Sequence, residues 1–431
     1  MRLLYFFFLQ FLSYALFGQD NSNIQEKYLA THGASLLETY RYLHANPELS
    51  RMEASTALFL KEKVRTYGYK ITDSLGYHSF AAIMENGTGP VILYRTDLDA
   101  LPIKEETGLS YASKMIFEKD GEKRSAMHAC GHDMHMTAWL GLAHFLSQNK
   151  KSWKGTMIFL AQSAEETGQG AKQVVNSGNY KSIPRPDLQL AIHMQPDLPV
   201  GTVGFCDDYA MASVDMMQVT IYGKGGHGAA PEKTIDPVVM SAQFINDIQT
   251  IVSRNLSSRE PAVITVGAIH GGTAGNIIPE KVELKLTIRS FTAESRQKIL
   301  DRIKKIGDGI SRSAGMEESK LPTYDLGDMS IPSVYNDPLL GEKIREILKK
   351  DFGPTAVASF DPVMIGEDFG VYGRWPEPRP SYLLWMGALE KPGKEKPGLH
   401  SAQFAPDAAT AIPSTMRMMG TVLLKLFNQK N

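Results

Sequence analysis

The sequence predicts an α/β fold: a mostly parallel sheet sandwiched by helices, carrying an inserted ferredoxin-like α+β domain. Three observations predict it. Short continuous apolar runs alternate with helical patterns through the first part of the chain, as strands covered on both faces do. Near Gly204 the pattern changes to β-α-β-β-α-β, the split βαβ order. After about Leu326 the first texture returns, so the second region is inserted into the first. The length of 431 residues also favours two or three compact regions.

The elements follow in order. Arg2 and an apolar stretch to Phe17 precede Gly18 and the polar Gln19-Asp20-Asn21-Ser22, the layout of an export signal over residues 1–18. The stretch is shorter than the ~20 residues that a membrane span needs, which favours cleavage near Gly18 over an anchor. Leu16 is not the small residue usual at that position. The mature chain is expected to be exported, periplasmic or secreted, with no membrane partner. Residues 19–204 then form the first part of the main domain. Ile24–Tyr42 and Ala54–Tyr67 are helical, Phe80–Met84 and Val91–Tyr94 are strands, and a helix covers His132–Gln148. Met157–Leu160 and Leu188–Ile192 are further strands. In the inserted domain, residues 205–325, Val214–Tyr222, Ala262–Ile269 and Val282–Phe291 are strands, Pro237–Arg254 and Ser295–Ser313 are helices, and Lys320–Leu326 supplies a last strand. Residues 326–431 complete the main domain, beginning with a helix at Leu339–Lys350. Lys391–Gly398 has the composition of an exposed loop.

Composition excludes several classes. The 46 Lys+Arg against 47 Asp+Glu give a formal net charge of −1, which removes the electrostatic case for a nucleic-acid partner. Two cysteines allow one bridge at most, so there is no disulfide framework.

In such sheets ligands bind at the carboxyl ends of the strands. Four polar clusters stand where that rule directs. Arg95-Thr96-Asp97-Leu98-Asp99 follows Val91–Tyr94, Glu165-Glu166 comes just after Met157–Leu160, and His193 follows Leu188–Ile192. His128-Ala129-Cys130-Gly131-His132-Asp133 stands where a helix begins. Singly each has a plain structural reading: a Glu pair at a solvated helix end, a hydrogen-bonded histidine, a small buried thiol. Their agreement in position is the argument. Thiolate, imidazole and carboxylate together suit zinc, and would also accept manganese, cobalt or nickel. Cys130 near a helix N-terminus is expected to have a lowered thiol pKa. A cation that activates water, beside a carboxylate base, is equipment for hydrolysing an amide.

Seven short motifs occur in register: Tyr42–Ser50, Arg95–Pro102, Met127–Asp133, Gln162–Glu166, Gly271–Pro279, Gly366–Phe369 and Leu399–Ser401. With them the chain resembles the hippurate hydrolase and indole-acetyl-amino-acid hydrolase branch of the aminoacylase-type metallopeptidases. The resemblance implies metal ligation by Cys130, His132, Glu166, His193 and His400, with Cys130 bridging two ions, and Glu165 as general base. It implies that His227, in Gly225-Gly226-His227-Gly228, serves the substrate carbonyl across a dimer interface. Asn276 and Arg289 match positions that bind the substrate carboxylate. The insertion matches a lid and dimerisation domain, hence a homodimer. The implied substrate is an N-acyl amino acid or short peptide-like amide. Asp97 and Asp99 are expected to orient the site and His135 to support it. Glu367-Asp368 is placed just outside the ligands, and Cys206 is expected to be a buried thiol.

Departures are few. Arg95-Thr96-Asp97 stands where the wider superfamily has His-x-Asp, a change shared with the close branch. Ser163 replaces the branch's usual Pro, Ala402 the Pro often found after His-Ser, and Thr167 and Gln169 interrupt a more glycine-rich turn. Two other functions are compatible with the residues: a thiol amidase with Cys130 as nucleophile, and a non-catalytic exported protein that captures peptides.

Overall fold

The computed structural model describes residues 3–119, 121–374, 377–389 and 397–428, with side chains from residue 24 onward apart from that of residue 119. Most of the Lys391–Gly398 stretch lies outside the described residues. The chain divides into two units. The first comprises Met1–Asp208, Asn336–Phe360 and Tyr372–Asn431, the second Tyr209–Tyr335 and Asp361–Val371.

The first unit is built on an eight-stranded sheet in the order Lys70–Thr72, Phe80–Asn86, Gly155–Gln162, Val91–Asp97, Leu188–Pro199, Ser381–Leu389, Val203–Phe205, Val357–Ser359. Its central run, from Gly155–Gln162 to Ser381–Leu389, is parallel throughout, and antiparallel pairs lie towards the edges. The central strands are buried on both faces, which is why they read as continuous apolar runs rather than alternating ones. Helices Leu3–Ala45, His132–Gln148 and Ala408–Asn428 pack against one another. The His132–Gln148 helix is buried nearly all round, as a helix inside a large core must be. Its Trp139 meets Phe159 of the neighbouring strand edge-on at 5.3 Å, a favoured aromatic geometry.

Three details differ from expectation. The strand at Leu188 runs on to Pro199, so His193 lies within it and not after it. Pairing with Ser381–Leu389 continues past His193, whereas the ladder with Val91–Asp97 stops at Arg95 opposite Ala191. His193 therefore stands where one side of its strand has been vacated. The Ser381–Leu389 strand itself is a fully apolar run without alternation, which periodicity alone does not assign. The unit boundaries also shift from 205–325. Cys206 and Asp207 are tied to the first unit, where Asn336 Nδ2 donates to the Cys206 carbonyl and Arg345 and Tyr382 grip the Asp207 carboxylate. At the other end Ser330–Ile331 pairs with Asp215 and Val214, carrying the second unit on to Tyr335.

The second unit contains an antiparallel sheet in the order Ala262–His270, Lys281–Ser290, Ser213–Tyr222, Thr323–Asp325. Helices Pro237–Thr250 and Ala293–Ser313 complete the β-α-β-β-α-β order. Lys281–Ser290 alternates between buried and open positions, as a sheet with one packed face requires. Asp236 caps the first helix by accepting from the amides of Val238 and Val239, and Thr292 Oγ1 caps the second by accepting from Ser295 N at 3.0 Å. Phe244, Ile248, Leu284, Leu286, Ile299 and Ile303 form this unit's own core.

Candidate metal centre

The polar clusters of the first unit meet beyond the carboxyl ends of its parallel strands. Val91–Asp97 leads into Asp99, and Gly155–Gln162 runs out into Ser163-Ala164-Glu165-Glu166. Cys130 and His132 enter at the start of the His132–Gln148 helix. Gly131 between them takes φ 79°, a left-handed conformation that suits glycine. His400 itself sits at φ 62°, an uncommon conformation for a side-chain-bearing residue that recurs at functional sites.

Cys130 Sγ lies 3.4 Å from His193 Nε2 and 3.3 Å from His400 Nε2. Glu166 Oε1 stands 3.9 Å from His132 Nε2, and Oε2 stands 3.7 Å from His400 Nε2. Two potential ligand triads result, Cys130–His132–His193 and Cys130–Glu166–His400, each with its ligand atoms within 4.8 Å of one another. They share the thiol. His132, Glu165 and Glu166 form a third such group. The imidazoles are aimed from behind. His132 Nδ1 bonds the Asp99 carbonyl at 2.7 Å and His193 Nδ1 the Met194 carbonyl at 2.9 Å. With each Nδ1 engaged by a carbonyl, each Nε2 points inward, the usual orientation of a ligating histidine.

Asp97 and Asp99 hydrogen-bond around this arrangement, and Asp97 with His132 and His135 forms a further group close enough to hold an ion. Asp97 accepts from His135 Nδ1 at 2.8 Å and Arg95 Nη1 at 2.7 Å, and His135 Nε2 accepts from Met194 N at 2.9 Å. Asp99 accepts from Ser50 Oγ at 2.6 Å and from the amides of Glu165 and Glu166 at 3.1 and 2.9 Å. Two buried atoms inside this cage have no hydrogen-bond partner, His132 Nε2 and Glu166 Oε1. A bound ion is one way to satisfy such orphaned buried atoms. A borderline-soft divalent cation fits both the orphans and the donor set.

The charges are tightly interlocked. Burial opposes ionisation of Asp97, but His132, His135 and Arg95 hold it well below the usual carboxylate range. Burial, with Asp99 and Asp97 nearby, pushes Glu166 up to about 8 despite His132. Burial and the Glu166 carboxylate raise the Cys130 thiol well above its ordinary value. That corrects the expected lowering: in the chain itself, desolvation and a like charge outweigh the helix N-terminus. Burial lowers His193 to about 3, keeping its ring neutral and fit to ligate. Cys130 and Cys206 are both buried free thiols, not a bridge.

The other anticipated residues belong to the second unit. Gly226–His227 pairs with Ile277–Ile278, and Gly228 N donates to the Asn276 carbonyl at 2.8 Å, so His227 and Asn276 lie on one small two-stranded sheet. His227 is exposed, and its Nδ1 accepts from Ala229 N at 3.0 Å, leaving the proton on Nε2. Arg289 is half-buried on the Lys281–Ser290 strand, with Nε donating to Thr287 Oγ1 at 3.2 Å. Glu367 also lies in the second unit and accepts from Phe369 N at 2.9 Å.

Sequence reasoning missed Glu53. It is fully buried, and its carboxylate accepts from Ala164 N and Ser163 Oγ. Burial and the neighbouring Asp99 push it up to about 8. An acidic residue beside a helix start reads as a cap, so nothing local marks it. His44, given no role from sequence, bridges Asp133 at 2.7 Å and Glu105 at 3.0 Å behind the site.

Comparison with known proteins identifies the family. Residues 93–411 match peptidase family M20/M25/M40. An N-acetylcysteine deacetylase of Bacillus subtilis is 37% identical over 355 residues, covering 82% of this chain and 88% of that protein. An N-acetyldiaminopimelate deacetylase of Leuconostoc citreum is 34% identical over 396 residues, covering 90% and 96%. A crystal structure of a putative aminohydrolase from methicillin-resistant Staphylococcus aureus superposes with a TM-score of 0.84 at 30% identity, over 94% of this chain and 100% of that one. A Bacillus subtilis protein described as a dinuclear metal binding peptidase of the M20 family superposes with a TM-score of 0.74 at 29% identity, over 92% and 99%. The first two relatives are named deacetylases and not hippurate hydrolases, so the likeness holds at the broader level. The chain belongs to peptidase family M20/M25/M40.

Proposed function

We propose that this metal-dependent amide hydrolase deacylates N-acyl amino acids with a free carboxylate, with short acyl groups such as acetyl foremost. The carrying observation is the convergence of Cys130, His132, Glu166, His193 and His400 around two unpartnered buried donor atoms. These five residues would hold one or two divalent ions, zinc, manganese, cobalt or nickel. When bound, such ions supply polarisation of a carbonyl and acidification of water. Glu165 takes the proton from the attacking water and returns it to the departing amine, so the amide and water become a carboxylate and an amine. Its amide is held by Asp99, so the side chain starts from a fixed backbone. The deacetylase names of the relatives support an acetyl group. The resemblance to hippurate and indole-acetyl-amino-acid hydrolases keeps benzoyl and indole-acetyl groups in the test.

Asn276 and Arg289 are assigned the substrate carboxylate. His227, with its proton on Nε2, is assigned the developing oxyanion of a second copy's substrate, which makes the working form a homodimer. The apolar Leu3–Phe17 stretch ahead of Gly18 supports export of the mature chain.

Glu165→Ala is expected to abolish turnover of N-acetyl, N-benzoyl and N-indole-acetyl amino acids while metal content stays nearly unchanged. Near-full activity in that variant refutes the proton-carrier assignment.

A further inference from the structure

The proton carrier and a ligand, Glu165 and Glu166, sit on a turn that leaves strand Gly155–Gln162. Its four successive amides are each held by a side chain from elsewhere. Ser163 N donates to Ser79 Oγ at 3.0 Å, and Ala164 N to Glu53 Oε1 at 2.8 Å. Glu165 N and Glu166 N donate to the two oxygens of Asp99. Between the outer pairs Ala164 takes φ 58°, a left-handed conformation costing an alanine roughly 1–2 kcal/mol. The turn also folds back tightly: Gly170 N donates to the Ala164 carbonyl at 3.1 Å, and a Cβ on Gly170 would lie 1.7 Å from the Ser163 carbonyl oxygen. This is not a shape that the local sequence prefers. It is imposed.

Asp99 also serves His132, but Glu53 has no such second duty. It occupies the N-cap position of helix Ala54–Thr66, yet its side chain makes no cap hydrogen bond. Glu48 does the capping instead, accepting from Ser55 N at 3.2 Å and Thr56 N at 2.7 Å. The Glu53 carboxylate is turned away to a loop over a hundred residues distant, with Oε2 accepting from Ser163 Oγ at 2.9 Å. Burying a carboxylate completely is costly, and both of its oxygens are committed to this turn.

We propose that Glu53, acting with Ser163, is a positioning residue that locks the Ser163–Glu166 turn and so places Glu165 for proton transfer. The inference rests on the reading of Glu165 as proton carrier. Glu53 touches neither substrate nor ion; it acts through the backbone. Releasing the amide of Ala164 lets that residue leave its left-handed conformation and swings the next side chain, and displacements of that order cost about 10- to 100-fold in rate.

The test uses full-length, metal-loaded protein and the variants Glu53→Ala, Glu53→Gln, Ser163→Ala and Glu165→Ala. Glu53→Ala is expected to lower kcat about 10- to 100-fold with KM within about twofold. Metal content should be unchanged, and amide hydrogen exchange faster at residues 164–166 than elsewhere. Glu53→Gln, whose amide oxygen still accepts from Ala164 N and whose NH2 still reaches Ser163 Oγ, should restore most of kcat. Should Glu53→Ala not fold, Ser163→Ala and Glu53→Gln decide: a several-fold kcat loss in the former with retention in the latter supports the proposal. Wild-type kcat and exchange in a folded Glu53→Ala, or in Ser163→Ala where the former fails, overturns it. So does a loss confined to KM or metal content. Glu165→Ala separates the two claims. If it is inactive while Glu53→Ala keeps its kcat, only the positioning role falls. If it is active, the proton-carrier reading falls, and the exchange rates at 164–166 alone decide whether Glu53 holds the turn.

Discussion

The two regions assigned chemistry are built in opposite ways. In the first unit His132 and His193 are buried and fixed from behind, by Asp99 and by the Met194 carbonyl, the half-buried Glu165 and Glu166 are held through amides by Asp99, and His400 is exposed. In the second unit His227 is exposed between Gly226 and Gly228 and steadied by one bond from Ala229 N. A buried polar cluster must be satisfied or it destabilises the fold, and its orphaned atoms are ones that a bound ion can satisfy. An exposed histidine carries no such penalty, and its geometry discloses nothing about its partner. On the function proposed above, the first region binds by itself, whereas the second is assigned a role only with another molecule.

The largest effect that separates them is metal removal. Chelation should abolish turnover, whereas a Cys130 nucleophile would survive it. It should also destabilise the first unit selectively, because a ligand at a hundred times its Kd contributes about 2.7 kcal/mol to the state that binds it. The tryptophans among the described residues, Trp139, Trp153 and Trp385, belong to the first unit, so their fluorescence follows that unit. The melting midpoint read by tryptophan is expected to fall on chelation and to recover with added zinc or manganese. An unchanged midpoint with activity intact would break the comparison at its root.

The contrast also explains what was legible in the sequence. Cys130, His132, Glu166 and His193 stand beside strand or helix patterns, so their positions could be read, whereas His400 was reached through the family resemblance; the structure brings the five together. The inserted β-α-β-β-α-β order was equally legible because its strands alternate. The Ser381–Leu389 strand was not, since a buried apolar run has no period to detect. The return of Asp361–Val371 to the second unit rests on backbone bonds such as Val363 N to the Ala210 carbonyl, which leave no mark on side-chain pattern. Glu53 escaped for a different reason. Its partners are backbone and hydroxyl groups more than a hundred residues away, and its own neighbourhood spells an ordinary helix start.

A smaller effect sharpens the second half of the comparison. His227→Ala should lower kcat about 100-fold or more, the loss typical of one oxyanion donor. Stability should stay within about 0.5 kcal/mol of wild type, as for other exposed positions. Mixing inactive His227→Ala chains with inactive Glu165→Ala chains should regain activity if the histidine serves the neighbouring copy. No regain on mixing would assign His227 to its own chain or to no catalytic role.

The smallest effect concerns pH and again falls on one unit. Burial opposes charge on His44, but hydrogen bonds to Asp133 and Glu105 override it and push its pKa up to about 10 from the ordinary 6.5. Burial works against both carboxylates too, yet His44 holds each below its usual value. A histidine raised in the folded state contributes stability fully below pH 6.5. That contribution fades as pH climbs towards 10, because the native chain then keeps a proton that the unfolded chain has lost. The carboxylates act in the other direction, losing their contribution only as the medium turns acidic through their folded values. The stability read by tryptophan-detected unfolding should therefore fall between pH 7 and 10, at no more than about 1.4 kcal/mol per pH unit for a single proton. His44→Gln should be less stable at pH 6 and show a flatter alkaline limb. The second unit's histidines, His227 and His270, are both exposed. An alkaline slope that persists unchanged in His44→Gln would move the proton to another group and remove this difference between the two units.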